Sequence, residues 1–213
     1  MHNLKNPGDA LAAALLTPKG RILAPIIMYL KSSAESGDNI LVEVHKKNVA
    51  EIQRYLTIYR LRSKVTIKPI GVQCTVHLEP SEVVVQPMLA VKDPRSDILG
   101  TRILSSNTVG EVKANHCSDK FIIHLLYTVL LTELTAMTGE SAEADAAWFD
   151  RYKLVHGIAD GPELSNRIPL ECNLDLLHYI SFTKGCYVGQ ELTARTKFKV
   201  NLTLVLPLGT FNY

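Results

Sequence analysis

One stretch of the chain decides its interpretation, residues 182–196, which read Phe-Thr-Lys-Gly-Cys-Tyr-Val-Gly-Gln-Glu-Leu-Thr-Ala-Arg-Thr. A single thiol, Cys186, follows Gly185 and precedes an aromatic ring, and a second glycine lies three residues further on. Such glycines let the backbone turn sharply and approach a ligand or another strand closely. Lys184 and Arg195 are placed to favour the thiolate, the form that acts as a nucleophile or metal ligand. We therefore predict that Cys186 is a functional residue.

The polar residues around Cys186 have two interpretations, which the sequence leaves open. Four side chains either bind the carboxylate or ring of a ligand or hold the turn together: Lys184, Gln190, Glu191 and Arg195. If a helix begins after Gly189, Glu191 and Arg195 lie four residues apart and form an ordinary surface pair. The chain has no C-x-x-C pair and no histidine pair near Cys186, so the sequence predicts neither a zinc site nor a disulfide there.

The composition is ordinary for a globular protein. The chain has 213 residues, of which 46% are hydrophobic and 21% charged, enough for one large or two small domains. The formal net charge of +2 is too small to indicate nucleic acid or an anionic membrane as the main partner. Four widely spaced cysteines predict a reducing compartment: Cys74, Cys117, Cys172 and Cys186.

Basic residues gather between Lys46 and Lys68. We interpret them as a solvated helix face and strand edge; the functional alternative is a docking patch for an acidic partner or a polyglutamate tail. No run of about 18 apolar residues occurs, so the sequence predicts no membrane-spanning helix.

Hydrophobic periodicity predicts strands and helices without a regular βαβ rhythm, and therefore the α+β class. The predicted strands are 22–30, with Pro25 at a bulge or edge, 40–44, 65–67, 72–78 and 100–106. The predicted helices are 46–60, 121–131, 141–155 and 174–179, with a turn at 32–39 and a long loop at 157–170.

The Cys186 stretch resembles the signature Lys-Gly-Cys-Tyr-x-Gly-Gln-Glu-x-x-x-Arg of the folate-binding YgfZ/aminomethyltransferase-like family. It is most similar to the eukaryotic branch of that family, the Caf17-type mitochondrial iron–sulfur cluster assembly factors. Four further stretches resemble the family in the same order: 17–21, 59–65, 93–102 and 169–174. The resemblance therefore runs from about residue 15 to about residue 200.

For the fold, the resemblance implies an aminomethyltransferase (GcvT-like) folate-binding fold of mixed strands and helices. Residues 1–140 would form its N-terminal α+β folate-binding portion, 141–200 a helix, a loop and the Lys-Gly-Cys-Tyr motif, and 201–213 a divergent tail. The family normally has another strand and helix before residue 17 and a small β-barrel after residue 200. We therefore expect a chain truncated at both ends, with the barrel largely missing; a divergent paralogue is the second explanation.

For function, the resemblance implies a factor of the mitochondrial matrix that supports maturation of four-iron, four-sulfur proteins. It would bind tetrahydrofolate and hold no stably bound metal. Its expected partners are A-type iron–sulfur carrier proteins and target apo-enzymes such as aconitase-like and radical enzymes, with neither nucleic acid nor a membrane among them. No Arg-rich presequence is visible at the start of the chain.

The alternative function is a folate-dependent aminomethyl or one-carbon transferase. The glycine-cleavage enzymes of this kind lack the Lys-Gly-Cys-Tyr string, which favours the assembly factor. Whether the chain turns over a substrate stays open, because an assembly factor on a transferase-like fold needs no classical turnover reaction.

The resemblance also assigns residues. Cys186 would be a transient cluster ligand or a redox-sensitive thiol near the folate pocket. The residues expected to bind the cofactor are Lys184, Tyr187, Gln190, Glu191, Arg195, Lys153 and Glu171. Tyr187 either stacks on a pteridine or packs into the core. Lys153 stands where the family often has an arginine. The lysine keeps the positive charge but lacks the forked geometry of a guanidinium group. Cys172 is interpreted as a packing residue.

Overall fold

The computed structural model describes residues 4, 6, 8–33, 37–69, 72–78, 88–106, 120–122, 125–127 and 146–199. These residues contain an eight-stranded sheet and three α-helices. The strands are β1 (Ala10–Leu16), β2 (Ile22–Ser33), β3 (Gly37–His45), β4 (Val72–His77), β5 (Leu89–Lys92), β6 (Thr101–Ser106), β7 (Lys120–Ile122) and β8 (Leu125–Tyr127). The helices are α1 (Val49–Tyr59), α2 (Ala146–Val155) and α3 (Gln190–Lys199). The strand order is β1-β2-β3-β7-β8-β4-β6-β5, and every neighbouring pair is antiparallel except β4 with β8.

The meander of β1, β2 and β3 has two apolar faces. Alternation along β2 places Tyr29 in the main core and Ile26 in a second, smaller cluster on the opposite face. Helix α1 covers this second cluster, with Ile52 fully buried. The Tyr55 hydroxyl of α1 donates a hydrogen bond of 3.0 Å to the carbonyl of Leu16 in β1. The main core faces α2 and the long loop that follows it.

Strands β2 and β3 are longer than the sequence predicted. Their pairing continues to Ser33 opposite Gly37, so both ends of the predicted turn at 32–39 belong to the sheet, and residues 34–36 lie outside the described part. Pro25 pairs with β1, whereas the pairing of β2 with β3 begins only at Ile27. Strand β2 lies between β1 and β3, so Pro25 is not on an edge strand of the sheet. It is tolerated because it lies beyond the end of the β2–β3 pairing, where no β3 neighbour needs an N–H from it.

The predicted helix at 121–131 is wrong. Residues Lys120–Ile122 pair with β3, and Leu125–Tyr127 pair with β7 and β4. Periodicity cannot tell a short apolar run in a helix from one in a strand, and here the edge of β3 offers backbone groups that a strand satisfies. Residues 123–124 and 128–131 lie outside the described part.

Two further predicted elements do not form in the described residues. No strand occurs at 65–67, and the predicted helix at 174–179 is a series of turns after a 3-10 turn at Pro169–Cys172. Asn173 and His178 have φ angles of 57° and 60°. This left-handed backbone interrupts an α-helix at both ends of the segment.

The other predicted strands and the helix at 46–60 are confirmed. The helix predicted from residue 141 is described from Ala146 onward, and the proposed cap at Ser141 lies outside the described part. Strands β1 and β5 were not predicted, and β1 is rich in alanine, which is depleted in strands. Within the described residues, no helix is both long and apolar enough to cross a membrane.

The long loop after α2 is tied to the beginning of β2. The N–H of Ile22 donates to the carbonyl of Arg167 at 3.0 Å, and the N–H of Asn166 donates to the carbonyl of Ile22 at 2.8 Å. This pair of hydrogen bonds holds the loop beside the turn between β1 and β2, the side of the molecule on which the Cys186 stretch lies.

Candidate functional site

The Cys186 stretch forms an irregular loop that ends at the N-terminus of α3. Cys186 is exposed, whereas Cys74 and Cys172 are buried, and Cys117 lies outside the described residues. Burial raises the pKa of the Cys172 thiol, which keeps that residue in its neutral form as an apolar packing group. Of the three described cysteines, Cys186 is the one that another molecule can reach.

A backbone contact between two glycines fixes the loop. Gly189 has a φ of 81°, and a Cβ built there would lie 2.6 Å from the carbonyl oxygen of Thr17 and 2.8 Å from the Cα of Gly20. Gly20 has a φ of 76°, and its Cβ would lie 2.5 Å from the Cβ of Leu192. The turn at 17–21 and the Cys186 stretch therefore meet where neither has room for a side chain.

The turn at 17–21 is itself closed by hydrogen bonds. The N–H of Gly20 donates to the carbonyl of Thr17, and the N–H of Thr17 donates to the carbonyl of Arg21, each at 2.8 Å. The Arg21 side chain donates from Nη1 to the carbonyl of Asn166 at 3.0 Å. Two of the stretches that carry the family resemblance thus form one surface with the long loop, and Cys186 is displayed on it.

Lys184 and Tyr187 pair with each other beside Cys186. The Lys184 ammonium lies 4.4 Å from the centroid of the Tyr187 ring, a cation–π contact. Tyr187 is half-buried and packs against the main core, and burial raises the pKa of its hydroxyl. The ring of Tyr187 therefore serves the core and carries the cation that lies near the thiol.

The predicted ligand residues of α3 lie in its first two turns. The helix begins at Gln190, which is half-buried, while Glu191 and Arg195 are exposed. Among the ion pairs of the described residues, none joins Glu191 to Arg195, although the helix places them four residues apart. Both side chains are turned to solvent and accessible to a partner.

Contacts at the other end of the loop hold α3 in place. Lys197 Nζ lies 3.0 Å from Asp175 Oδ2 and 5.2 Å from the centroid of the Phe182 ring. The rings of Phe182 and Phe198 meet edge to face at 6.1 Å. The 3-10 turn Pro169–Cys172, which carries the half-buried Glu171, packs against α3. Glu171 is therefore carried by a turn that packs against α3.

Lys153, the remaining predicted ligand residue, lies in a buried network of charges instead. Its Nζ lies 2.8 Å from Asp160 Oδ1 and 2.7 Å from Asp150 Oδ1, and the side chain is only 3% exposed. Burial disfavours the ammonium, but the two carboxylates outweigh it and raise the pKa of Lys153. The amine is thus engaged by two carboxylates within the protein, and none of its reported contacts is with the Cys186 loop.

The network continues through two buried arginines. Arg95 binds Asp160 and donates from Nη2 to Asp93 at 2.6 Å. Arg102 donates from Nη1 to the same Asp93 oxygen at 2.9 Å and from Nη2 to Glu43 Oε1 at 2.6 Å. Both arginines are almost fully buried, so their charges are balanced inside the protein rather than by water. The network joins β3, β6, the loop after β5 and the loop after α2.

A tyrosine completes the network. The Tyr29 hydroxyl donates to Glu43 Oε2 at 2.6 Å and accepts a hydrogen bond of 2.6 Å from Arg102 Nε. Burial raises the pKa of Tyr29, so the hydroxyl stays protonated and can donate. Four carboxylates, three cations and a phenol are therefore arranged with complementary donors and acceptors.

A small cavity opens at the edge of the network. It has a volume of about 10 Å³, room for one water molecule, and its polar lining comes from Glu43, His45, Arg95, Asp160 and Tyr179. None of the residues predicted to bind tetrahydrofolate lines this cavity, and it is too small for a pterin. The predicted folate residues are divided between the surface around Cys186 and the buried network.

Sequence reasoning gave no role to Glu43, Asp93, Arg95, Arg102 or Asp160. A signal existed in β3, where alternation places Glu43 on the same face as the buried Leu41. A charged residue at an inward position of a strand requires a buried partner. The partner itself could not be found, because Arg102 is 59 residues away in sequence.

The ionisation of Asp93 gives a test of the network. Burial alone would raise its pKa, but Arg95 and then Arg102 outweigh burial and lower the pKa from 3.8 to about 2. Because the folded-state pKa is below the unfolded value, Asp93 stabilises the fold above about pH 4, and this contribution is lost as the pH falls through about 2. We expect the excess stability of wild type over Asp93→Asn to shrink by about 2 kcal/mol between about pH 6 and about pH 2.

Urea unfolding at a series of pH values measures this difference, with Asp97→Asn as the control because Asp97 is exposed. The difference in the free energy of unfolding between wild type and Asp97→Asn should change little with pH. An Asp93→Asn difference that is the same at low and neutral pH would show that Asp93 is not held as a carboxylate.

The glycine contact gives a second test with a matched control. We expect Gly189→Ala to lower the free energy of unfolding by about 2 kcal/mol or more, because the left-handed backbone disfavours a Cβ and the Cβ would clash with backbone atoms. Gly185→Ala should change it by less than about 0.5 kcal/mol, since a Cβ there meets no atom within 4 Å. Urea unfolding of both variants measures the effect, and equal stability of the two would contradict the contact.

Comparison with known proteins connects this geometry to a family. No protein-family model matches the chain. The chain is 28% identical over 200 residues to a mitochondrial iron–sulfur cluster assembly factor IBA57 homolog of Mycosarcoma maydis, covering 89% of this chain and 43% of the relative. It is 28% identical over 204 residues to the mitochondrial IBA57 of Mus musculus, covering 88% of this chain and 49% of the relative.

The mitochondrial IBA57 of Homo sapiens is 26% identical over 200 residues, covering 86% of this chain and 49% of the relative. The chain thus spans about half the length of the curated relatives it matches. The similarity covers 86–89% of this chain. The chain is therefore similar to mitochondrial iron–sulfur cluster assembly factors, the proteins that its cysteine motif indicated.

Proposed function

We propose that the chain acts in the mitochondrial matrix in the maturation of four-iron, four-sulfur proteins, with Cys186 as the residue that contacts the cluster. The observation that carries the proposal is the exposure of Cys186 on a loop that is held at both ends. The Gly20–Gly189 contact holds its C-terminal end, and the contacts of Phe182 with Lys197 and Phe198 hold its N-terminal end. The similarity to relatives named as mitochondrial iron–sulfur cluster assembly factors supports the same function.

The chemistry of this role follows from the thiol. A thiolate is a soft ligand that suits iron, and an exposed one can bind and release a cluster without unfolding of the protein. Cys74 and Cys172 are buried, so they cannot join Cys186 at the surface in this conformation. Because a cluster needs four protein ligands, a second protein must supply the others while Cys186 supplies one. The contact is therefore transient and shared.

The proposed partners are A-type iron–sulfur carrier proteins, which would present the cluster, and apo-enzymes of the aconitase-like and radical types, which would receive it. The cations Lys184 and Arg195 lie on the exposed surface near the loop and would attract the negative charge of a thiolate-bound cluster. Lys184 is two residues from Cys186 in the sequence, and its ammonium rests on the Tyr187 ring.

Tetrahydrofolate binding is a separate proposal, which rests on the resemblance of the motif to the folate-binding family. The residues expected to contact folate do not meet in one pocket of the described structure, since Lys153 is engaged with Asp150 and Asp160. We assign no step of cluster transfer to folate for this reason. Calorimetric titration with tetrahydrofolate measures the binding. The absence of a saturable heat change would contradict the proposal that the chain binds folate.

The role of the thiol is tested by replacing it. We expect Cys186→Ala to leave the free energy of unfolding within about 0.5 kcal/mol of wild type, because the side chain is exposed. In cells deprived of their own factor, the variant should fail to restore the activity of four-iron, four-sulfur enzymes, whereas Gly185→Ala should restore it. Full restoration by Cys186→Ala would show that the thiol is not required.

A further inference from the structure

The end of α1 and the loop after it, residues 58–68, expose an unusual amount of apolar surface. We call this segment the basic loop. Leu61 is 83% exposed, Ile58 60% and Val65 55%, although all three are aliphatic. Tyr59 is 42% exposed and stacks on Tyr55, the residue that anchors α1 to β1. Aliphatic groups exposed together in this way mark a surface that another phase or molecule covers.

The basic loop has a defined conformation. The Ser63 N–H donates to the carbonyl of Arg60 at 3.0 Å, and the Val65 N–H donates to the carbonyl of Ser63 at 2.9 Å. Arg60 Nη1 closes the loop by donating to the carbonyl of Val65 at 3.1 Å. Leu61 has a φ of 49°, which a branched aliphatic residue adopts rarely. Backbone hydrogen bonds and a strained residue thus hold Leu61 outward at the tip of the loop.

The charge around these aliphatic residues has one sign. Between Glu51 and Glu79 the sequence has no Asp or Glu. It has five basic residues there, all exposed: Arg54, Arg60, Arg62, Lys64 and Lys68. The net charge of +2 averages this cluster with acidic residues elsewhere, so the composition of the chain did not reveal it.

We propose that the basic loop docks on an anionic phospholipid surface, with Leu61 and Val65 entering the headgroup region and the five basic side chains binding the phosphates. Exposed aliphatic groups combined with a cluster of bases are the two components of peripheral membrane attachment. The proposal is independent of the role of Cys186.

The geometry favours lipid over an acidic protein. Protein interfaces concentrate their binding energy in packed pockets that exclude water, whereas here the aliphatic side chains project from a turn. The bases are spread along an extended segment, and lipid headgroups, which move laterally, can gather around charges spaced in this way. A basic surface of this kind binds through screened electrostatics, so the attachment should weaken steeply with salt.

Sedimentation of the whole chain with lipid vesicles tests the proposal. We expect binding to vesicles of equal parts phosphatidylcholine and phosphatidylglycerol, and none to vesicles of phosphatidylcholine alone. The double variant Arg62→Gln, Lys64→Gln should bind the anionic vesicles roughly 30-fold more weakly, at about fivefold per charge. Arg60 is left in place because it closes the loop.

Two further variants test whether the loss of binding is specific to charges of the basic loop and whether the aliphatic side chain of Leu61 contributes to binding. The control Lys92→Gln, Arg151→Gln removes one lysine and one arginine from exposed positions outside the basic loop and should bind like wild type. Leu61→Asn should bind more weakly yet fold at least as well, since asparagine tolerates a left-handed backbone. Urea unfolding of every variant confirms that the fold is kept.

Three results of the vesicle assay would overturn the proposal: absence of wild-type binding to anionic vesicles, equal loss in the control pair, and full binding by Leu61→Asn. Binding to soluble polyglutamate without binding to vesicles would overturn it in favour of an acidic polypeptide. Competition by millimolar inorganic phosphate would also overturn it, because a site for a free phosphate needs no lipid surface.

Discussion

The contact between the backbones at Gly20 and Gly189 is the constraint on which the position of Cys186 depends. It brings the turn between β1 and β2 against the residue that precedes α3, at a distance that leaves no room for a Cβ on either side. Both glycines have a left-handed backbone, so they satisfy the conformation and the close approach together. Because the turn belongs to the sheet and α3 begins one residue after Gly189, the contact ties the C-terminal end of the Cys186 loop to the core. An exposed thiol is thereby held on a rigid frame.

The buried charges have a different part in the structure. Glu43, Asp93 and Asp160 balance Arg95, Arg102 and Lys153 and join strands from both halves of the sheet to the loop after α2. Such networks cost desolvation energy, so their main effect is on which arrangement of the elements is allowed rather than on net stability. A shift of β3 against β6 would separate Arg102 from Glu43. The network therefore fixes the body of the protein, and the glycine contact fixes the functional loop on it.

The sequence singled out the loop around Cys186 but gave no role to the buried network. Local chemistry identified Cys186 and its flanking glycines as a candidate site, because these properties belong to neighbouring residues. It left open whether a helix follows Gly189, and the structure places α3 there. The helix predicted at 121–131 failed because pairing with the distant edge of β3 decides that segment, and no local pattern reveals it. The family resemblance assigned Lys153 to cofactor binding. In the structure it pairs with Asp160, which the chain reversal after α2 brings close to it. Arg102 and Glu43 meet only through tertiary structure.

The central claim is that Cys186 contacts the cluster through the exposed loop, and alkylation of individual cysteines tests it most directly. The purified chain would be mixed with an A-type carrier, with and without its iron–sulfur cluster, and treated briefly with a thiol-alkylating reagent before mass spectrometry. We predict that the cluster-loaded carrier protects Cys186, while Cys74 and Cys172 stay unreactive in both mixtures because they are buried. Alkylation of Cys186 at the same rate with loaded and empty carrier would contradict the claim.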